Sequence, residues 1–223
     1  MKYKAVIFDL DGVICHTDRY HYQAWKQIAD KIGAHFDETI NNRLRGISRA
    51  ESLEIILEYC PRRLGQKEKD HYLQKKNELY LSLLQNMSPA DLDPEVKDTM
   101  ERIRDRGILM AIGSSSKNAA YILKRLGLEN YFDAVADGTH ITRSKPDPEV
   151  FLKASAGLGI DPPQCLVVED AESGIRAALA ANMDCAAIGD GTRCNLARYH
   201  LQRFADLLLI LNEGACPPSP RGH

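Results

Sequence analysis

Asp9-Leu10-Asp11-Gly12 sets two carboxylates two residues apart, directly behind the apolar run Ala5 to Phe8. On extended backbone that spacing aims both side chains the same way, at the carboxyl end of a strand. Glu169-Asp170 closes a second apolar run, Leu166-Val167-Val168, in the same manner. Acids converging on one sheet edge repel each other unless a cation joins them, and hard carboxylate oxygens select magnesium. Ser114-Ser115-Ser116-Lys117-Asn118 follows a third apolar run and precedes a stretch of helical period. Hydroxyls and free amides at such a helix start form a cradle for phosphate. Lys145, just ahead of Pro146, offers a fixed positive partner for phosphate or for an aspartate. Singly, each feature has a plainer reading: a polar turn at Gly12, acids complementing a helix dipole, an N-cap, a solvated lysine. Four of them in order, each at a strand end, are too many for coincidence.

The elements that must carry these groups are legible from apolar periodicity. Ala5 to Phe8 is continuous rather than alternating, as in a strand buried on both faces of a parallel sheet. Ile108–Gly113, Phe132–Ala136, Cys165–Val168, Cys185–Gly189 and Leu207–Leu211 repeat that short apolar run. Between them Val96, Met100 and Ile103, then Ala120, Leu123 and Leu126, then Ile175, Ala178 and Leu179 recur at helical spacing. Gly107, Gly127 and Gly159 stand where helix C-terminal glycines belong. The alternation predicts an α/β fold, a Rossmann-like parallel sheet covered on both faces. Residues 16–90 break the rhythm, because every periodic stretch there is helical. Tyr22, Trp25, Ile28, Ala29 and Ile32 form one stripe, and Ser48-Arg49-Ala50-Glu51 is a capping box opening a helix through Leu53, Ile56 and Leu57. A third, polar helix is expected from about Gln66 to Gln85. An all-helical domain at 16–90 is therefore expected inside a core made of 1–15 and 91–211, with 212–223 a disordered tail.

The length of 223 residues suits one core domain with a modest insertion. Apolar residues at 44% and charged residues at 27% are ordinary globular values. A net charge of −2 gives no electrostatic footprint for nucleic acid or an anionic membrane. The longest aliphatic run, Leu207 to Leu211, falls far short of the ~20 residues a membrane helix needs. Asp9 and Asp11 cut off the N-terminal apolar stretch, so no export signal is expected. Six cysteines, at 15, 60, 165, 185, 194 and 216, show neither a CxxC pair nor zinc spacing, which predicts reduced thiols in a cytoplasmic protein.

Asp-x-Asp, a strand-end Ser, Lys-Pro and Glu-Asp, in that order, resemble the haloacid dehalogenase-like superfamily of aspartate-nucleophile phosphotransferases, over about residues 1–211. The resemblance implies Asp9 as nucleophile, Asp11 as general acid/base, and Ser114 and Lys145 as grips on the transferring phosphate. It implies one magnesium ion at Glu169 and Asp170, with Asp9 and the backbone carbonyl of Asp11 as further ligands. The helical insertion looks like that superfamily's cap. Its motifs, His21-Tyr22-Gln23-Ala24-Trp25, Arg45-Gly46-Ile47-Ser48-Arg49 and Lys75-Lys76-Asn77, look like those of the β-phosphoglucomutase family, as do Ser88-Pro89-Ala90-Asp91 and Ser116-Lys117-Asn118.

That family interconverts β-D-glucose 1-phosphate and D-glucose 6-phosphate through a phosphoaspartate and β-glucose 1,6-bisphosphate, the latter also an activating cofactor. Arg49 would hold the phosphate that is not reacting, and Lys76 and His21 would belong to the closed cap–core interface. Gly46, Ile47 and Ser48 would meet the sugar, with Ser115, Ser116, Lys117 and Asn118 on the core side. Trp25 lies on an apolar stripe, which suits helix packing better than a sugar platform, and is carried among the substrate-binding candidates. The chain departs from the family at His16-Thr17, where Asp-Thr is more usual, and at Ser115, where alanine is common. The alternative is a phosphatase of the same superfamily acting on small sugar phosphates, which shares the whole core constellation. Either enzyme is expected to be a monomer with no nucleic-acid or membrane partner.

Overall fold

The computed structural model describes residues 2–212. Six strands form one sheet: β1 (Ala5–Phe8), β2 (Leu109–Gly113), β3 (Ala134–Ala136), β4 (Cys165–Glu169), β5 (Asp184–Ala187) and β6 (Tyr199–His200). Their order is β3-β2-β1-β4-β5-β6, and every pairing is parallel. The chain winds outward from β1 in one direction and returns to β4 on the other side. The switch point, where the carboxyl ends of an open sheet leave a crevice, therefore falls between β1 and β4.

Five α-helices lie between β1 and β2: α1 (Asp18–Ile32), α2 (Glu38–Asn42), α3 (Arg49–Leu57), α4 (Gln66–Leu84) and α5 (Pro94–Asp105). Beyond β2 come α6 (Ala119–Arg125), α7 (Glu149–Leu158), α8 (Glu172–Ala180) and α9 (Leu207–Asn212). The predicted capping box forms: the Ser48 side chain accepts from the Glu51 amide while Glu51 accepts from the Ser48 amide.

All four residues of β1 are fully buried, as an interior parallel strand requires. Alternate residues serve opposite faces. Val6 and Phe8 pack with Met110, Ile112, Leu166 and Val168 and with Val96, Met100 and Ile103 of α5. Ala5 and Ile7 pack with Ala111 and Val167 and with Val150, Phe151 and Ala154 of α7 and Ile175 and Ala178 of α8. The helical insertion has a core of its own, in which Trp25, Ile28, Ala29 and Ile32 meet Phe36, Ile40, Leu53 and Ile56.

Three details differ from the expectation. Leu207–Leu211 is helix α9, not a strand: leucine favours helix, and Leu207, Leu208 and Leu211 are buried while Leu209 is 65% exposed, a helical rather than alternating pattern. The Asp206 carboxylate starts this turn by accepting from the amides of Gln202 and Arg203. Strand β3 begins only at Ala134, because Asp133 turns its carboxylate onto the Met110 amide at 2.8 Å. The two-residue β6 carries no apolar run that could announce it. The expected tail lies outside the described residues except for Asn212, which closes α9. No helix among the described residues is long and apolar enough to cross a membrane.

Candidate active site

Sheet register builds the centre of the site. Phe8 pairs with Val168, so the residues that follow, Asp9 and Glu169, emerge side by side at the switch point. The Asp9 amide donates to the Val168 carbonyl at 2.9 Å, and the Ser114 amide does the same to Ala136 at 3.0 Å, so both side chains leave the sheet from ordered backbone. Carboxylate oxygens of Asp9, Glu169 and Asp170 lie within 4.8 Å of one another, and all three residues are buried. Lys145 is fully buried behind them, with Nζ 2.5 Å from Asp9 Oδ1 and 2.5 Å from Glu169 Oε1. Glu169 is held further by the amides of Asp170 and Ala171, which donate to its other oxygen at 2.9 and 3.0 Å.

The electrostatics of this cluster are unbalanced. Burial, against the opposing pull of Lys145 and with the push of Glu169 and Asp11, raises the Asp9 carboxyl to about 8. Burial, Glu169 and Asp9 raise Asp170 to about 9. Burial works against the Lys145 ammonium, but Asp9 and Glu169 outweigh it and hold that charge above its ordinary range. Were all three carboxyls ionised, the Lys145 ammonium would offset one, and Arg45, 3.9 Å from Asp170 and shared with Asp18 and Asp190, only part of another, a deficit that a divalent cation would fill. The donors are all carboxylate oxygens, as magnesium prefers. Gly12 keeps the approach open: with φ +95°, an added Cβ would lie 2.1 Å from Asp170 Oδ2. The residues present therefore fit a magnesium ion. The Asp11 carboxylate stands outside this cluster, where the Thr17 hydroxyl donates to it, so only its backbone is left to serve a metal there. Burial raises the Asp11 carboxyl, with Thr17 pulling the other way and Asp18 adding to the rise.

A cavity of about 380 Å³ opens between this sheet edge and the helical insertion, within the size range of small-molecule sites. Asp9, Asp11, Asp170 and Ser114 to Asn118 line it from the core; His21, Trp25, Gly46, Ile47, Ser48, Arg49 and Lys76 line it from the insertion. Of the residues singled out from sequence, only Lys145 and Glu169 do not face it, because they lie behind Asp9. The Ser114 side chain is buried and accepts from the Ser116 amide at 3.1 Å. Trp25 is 2% exposed and packs in the core of the insertion, so packing is its main part there.

The far wall is cationic. Lys76 is 2% exposed, 2.8 Å from His21 Nδ1, with its ammonium 4.4 Å from the Tyr80 ring centre and 5.1 Å from that of Trp25. Burial and the Arg49 charge push Lys76 well below the usual lysine range. Burial, Lys76 and Arg49 push His21 well below its own. Burial lowers Arg49 as well, and its one polar contact is a 3.5 Å bond from Nη1 to the Leu73 carbonyl. Lys76 and Arg49 are desolvated, with the Asp11 charge pulling Lys76 back up but no carboxylate in ion-pair contact with either among the described residues, so an anionic ligand would restore and match their charge.

Several contributors were not singled out from sequence. Thr17 orients Asp11, Tyr80 packs on His21 in a tilted pair with ring centres 4.1 Å apart, and Asn77 accepts from Asn118 at 3.0 Å. Gly138, Ile141, Thr142 and Ser144 also line the cavity. Only Asn77 sat within a quoted motif; the others follow from tertiary packing that no local pattern reveals.

A family model described as haloacid dehalogenase-like hydrolase matches residues 3–182. The chain is 41% identical over 210 residues to the β-phosphoglucomutase of Bacillus subtilis (strain 168), covering 93% of each chain. It is 37% identical over 186 residues to fructose-1-phosphate phosphatase YqaB of Escherichia coli (strain K12), covering 82% of this chain and 95% of that one. Among solved structures, a β-phosphoglucomutase from Clostridium difficile superposes with a TM-score of 0.87 at 36% identity, covering 92% of this chain and 93% of that chain.

Proposed function

The chain belongs to the haloacid dehalogenase-like hydrolase family, and on that premise we propose that it is a β-phosphoglucomutase, converting β-D-glucose 1-phosphate to D-glucose 6-phosphate. The observation that carries this reading is the pair of anion-binding walls facing each other across one cavity. Ser114, Lys117 and the Asp9 cluster stand on one side, and Arg49 with Lys76 on the other. A hydrolase needs to grip one phosphate; a bisphosphate intermediate needs both ends held.

In the cycle, Asp9 enters carrying a phosphoryl group. The sugar's C6 hydroxyl oxygen attacks phosphorus, the bond from phosphorus to the Asp9 oxygen breaks, and Asp11 takes the hydroxyl proton. The product, β-glucose 1,6-bisphosphate, turns end for end. Asp9 then attacks the C1 phosphate, the bond to the C1 oxygen breaks, and Asp11 returns its proton to that oxygen. Glucose 6-phosphate leaves and the phosphoaspartate is regenerated. Burial, which raises Asp11, favours its protonated form, and the bond from Thr17 favours its carboxylate, so the site supports both states that the two half-reactions need. Asp9, Glu169, Asp170 and the Asp11 backbone carbonyl would hold magnesium, which would supply positive charge against the transferring phosphoryl group. Lys145 holds Asp9 in place, and Arg49, with Lys76, holds the idle phosphate in both half-reactions.

Water is the competing acceptor, and a helical cap over the cavity excludes it. The cavity is closed by this chain's own insertion, so a monomer suffices, and a cytoplasmic enzyme of sugar phosphates is the consistent setting. A second reading, phosphatase action on small sugar phosphates, is favoured by the likeness to the fructose-1-phosphate phosphatase. Turnover of β-glucose 1-phosphate with and without trace β-glucose 1,6-bisphosphate separates them. A mutase accelerates sharply with the trace addition and releases little inorganic phosphate. A phosphatase releases phosphate at the same rate with or without it.

A further inference from the structure

Arg45 and Gly46 belong to the helical insertion, yet the Arg45 side chain and the carbonyls of both residues reach the core. Arg45 Nη1 donates to Asp190 Oδ2 at 2.6 Å and lies 3.9 Å from Asp170, while Nη2 bonds Asp18 at the head of α1. The Arg45 carbonyl accepts from Ser173 Oγ at 3.2 Å, and the Gly46 carbonyl from Ser115 Oγ at 2.9 Å. An alanine at 115 could not make that last bond. Gly46 has φ +74°, and a Cβ there would lie 2.3 Å from Ser173 Oγ, so the close approach depends on glycine. Ser115, Ser173 and Asp190 come from the segments that follow β2, β4 and β5, Ser173 in the first turn of α8, so one short stretch of the insertion is fastened to three separate core segments.

We propose that this stretch is a latch, and that the Arg45–Asp190 pair sets how often the cap opens while Asp9 is phosphorylated. It thereby sets the choice between sugar and water as phosphoryl acceptor. The inference rests on the phosphoaspartate reading above. In the leak that the latch suppresses, a water oxygen attacks the phosphorus of phospho-Asp9. The bond from phosphorus to the Asp9 oxygen breaks, Asp11 takes the water's proton, and inorganic phosphate departs. Asp190 neither lines the cavity nor belongs to the carboxylate cluster, so it acts only through Arg45, as a positioning residue. Arg45 and Asp190 side chains are 24% and 50% exposed, so dissolved salt weakens their attraction.

The test compares full-length wild type with Asp190→Asn and Asp190→Glu, at low and high sodium chloride. Amide hydrogen exchange over residues 44–48, without magnesium or phosphoryl donor, reads cap opening as loss of the cover that the core gives this stretch. Decay of phosphoenzyme made with magnesium and acetyl phosphate reads the leak. Asp190→Asn is expected to speed both by up to about fivefold at low salt, the most a surface ion pair supplies. Wild type should approach the variant as salt rises, the variant should respond to salt less than wild type, through the remaining Arg45–Asp170 contact at 3.9 Å, and Asp190→Glu should recover most of the protection. Unchanged exchange overturns the latch. So does acceleration that keeps the wild-type salt response, because Asp190 would then act through its 3.4 Å pair with Arg193 instead. Wild type that forms no phosphoenzyme refutes the phosphoaspartate reading, and the exchange measurement still decides whether the latch exists.

Discussion

Replacing Arg49 with alanine separates the two ends of the cavity. Arg49 gives the fold little: among the described residues its one polar contact is the 3.5 Å bond to Leu73, at the outer limit of hydrogen-bond length, and no acid offsets its burial. Truncation should therefore leave thermal stability unchanged or slightly higher, because a desolvated charge is removed and Lys76 is relieved of a like-charged neighbour. Function should respond in the opposite sense. A charged hydrogen bond to the idle phosphate is worth about 1.5–3 kcal/mol, which is roughly a 10- to 150-fold fall in mutase kcat/KM. Arg49→Lys should recover only part of this, because an ammonium cannot present two parallel donors to one phosphate. Phosphorylation of Asp9 by acetyl phosphate, a donor without a second phosphate, should proceed at the wild-type rate. The paired assays are coupled turnover of β-glucose 1-phosphate and phosphoenzyme yield from acetyl phosphate. Equal losses in both, or a clear drop in melting temperature, would refute the assignment of Arg49 to the distal phosphate.

Two further outcomes follow from the same geometry. Asp11→Asn should keep magnesium affinity, since its carboxylate lies outside the acidic cluster, yet turn over at least ~10²-fold more slowly; a near-wild-type rate moves the acid/base role elsewhere. Asp9 and Asp170, raised to about 8 and about 9 by burial and mutual repulsion, keep protons in the folded protein that the unfolded chain loses near pH 4. The metal-free protein should therefore lose stability as pH rises from about 5 to about 8, and magnesium should raise the melting temperature more at pH 8 than at pH 6. An equal rise at both pH values would contradict the charge imbalance assigned to the cluster.

The core half of the site was legible because its residues sit at the ends of apolar runs. Asp9, Ser114 and Glu169 each follow a recognisable strand, and a parallel sheet can only bring such ends to one edge. The roles of Arg49, Lys76 and His21 were reachable through family resemblance alone. Lys76 and His21 are 55 residues apart, and nothing local tells a buried lysine from a solvated one. Arg45 and Asp190, 145 residues apart, meet only because the insertion folds back over the sheet. Thr17 stood beside the departure at His16 but could not be read as the donor to Asp11, since that bond depends on how the chain leaves β1. The leucine run at 207–211 misled because continuous apolar stretches suit a buried strand and a short buried helix equally well.

The claim that one cavity holds both phosphates of a bisphosphate is tested most directly by phosphorus NMR. Purified protein with magnesium, β-glucose 1-phosphate and a trace of β-glucose 1,6-bisphosphate should convert the C1 phosphate resonance into that of glucose 6-phosphate. The inorganic phosphate signal should stay near baseline throughout. Growth of inorganic phosphate in step with loss of substrate, without glucose 6-phosphate accumulating, would contradict the mutase account and leave a hydrolase.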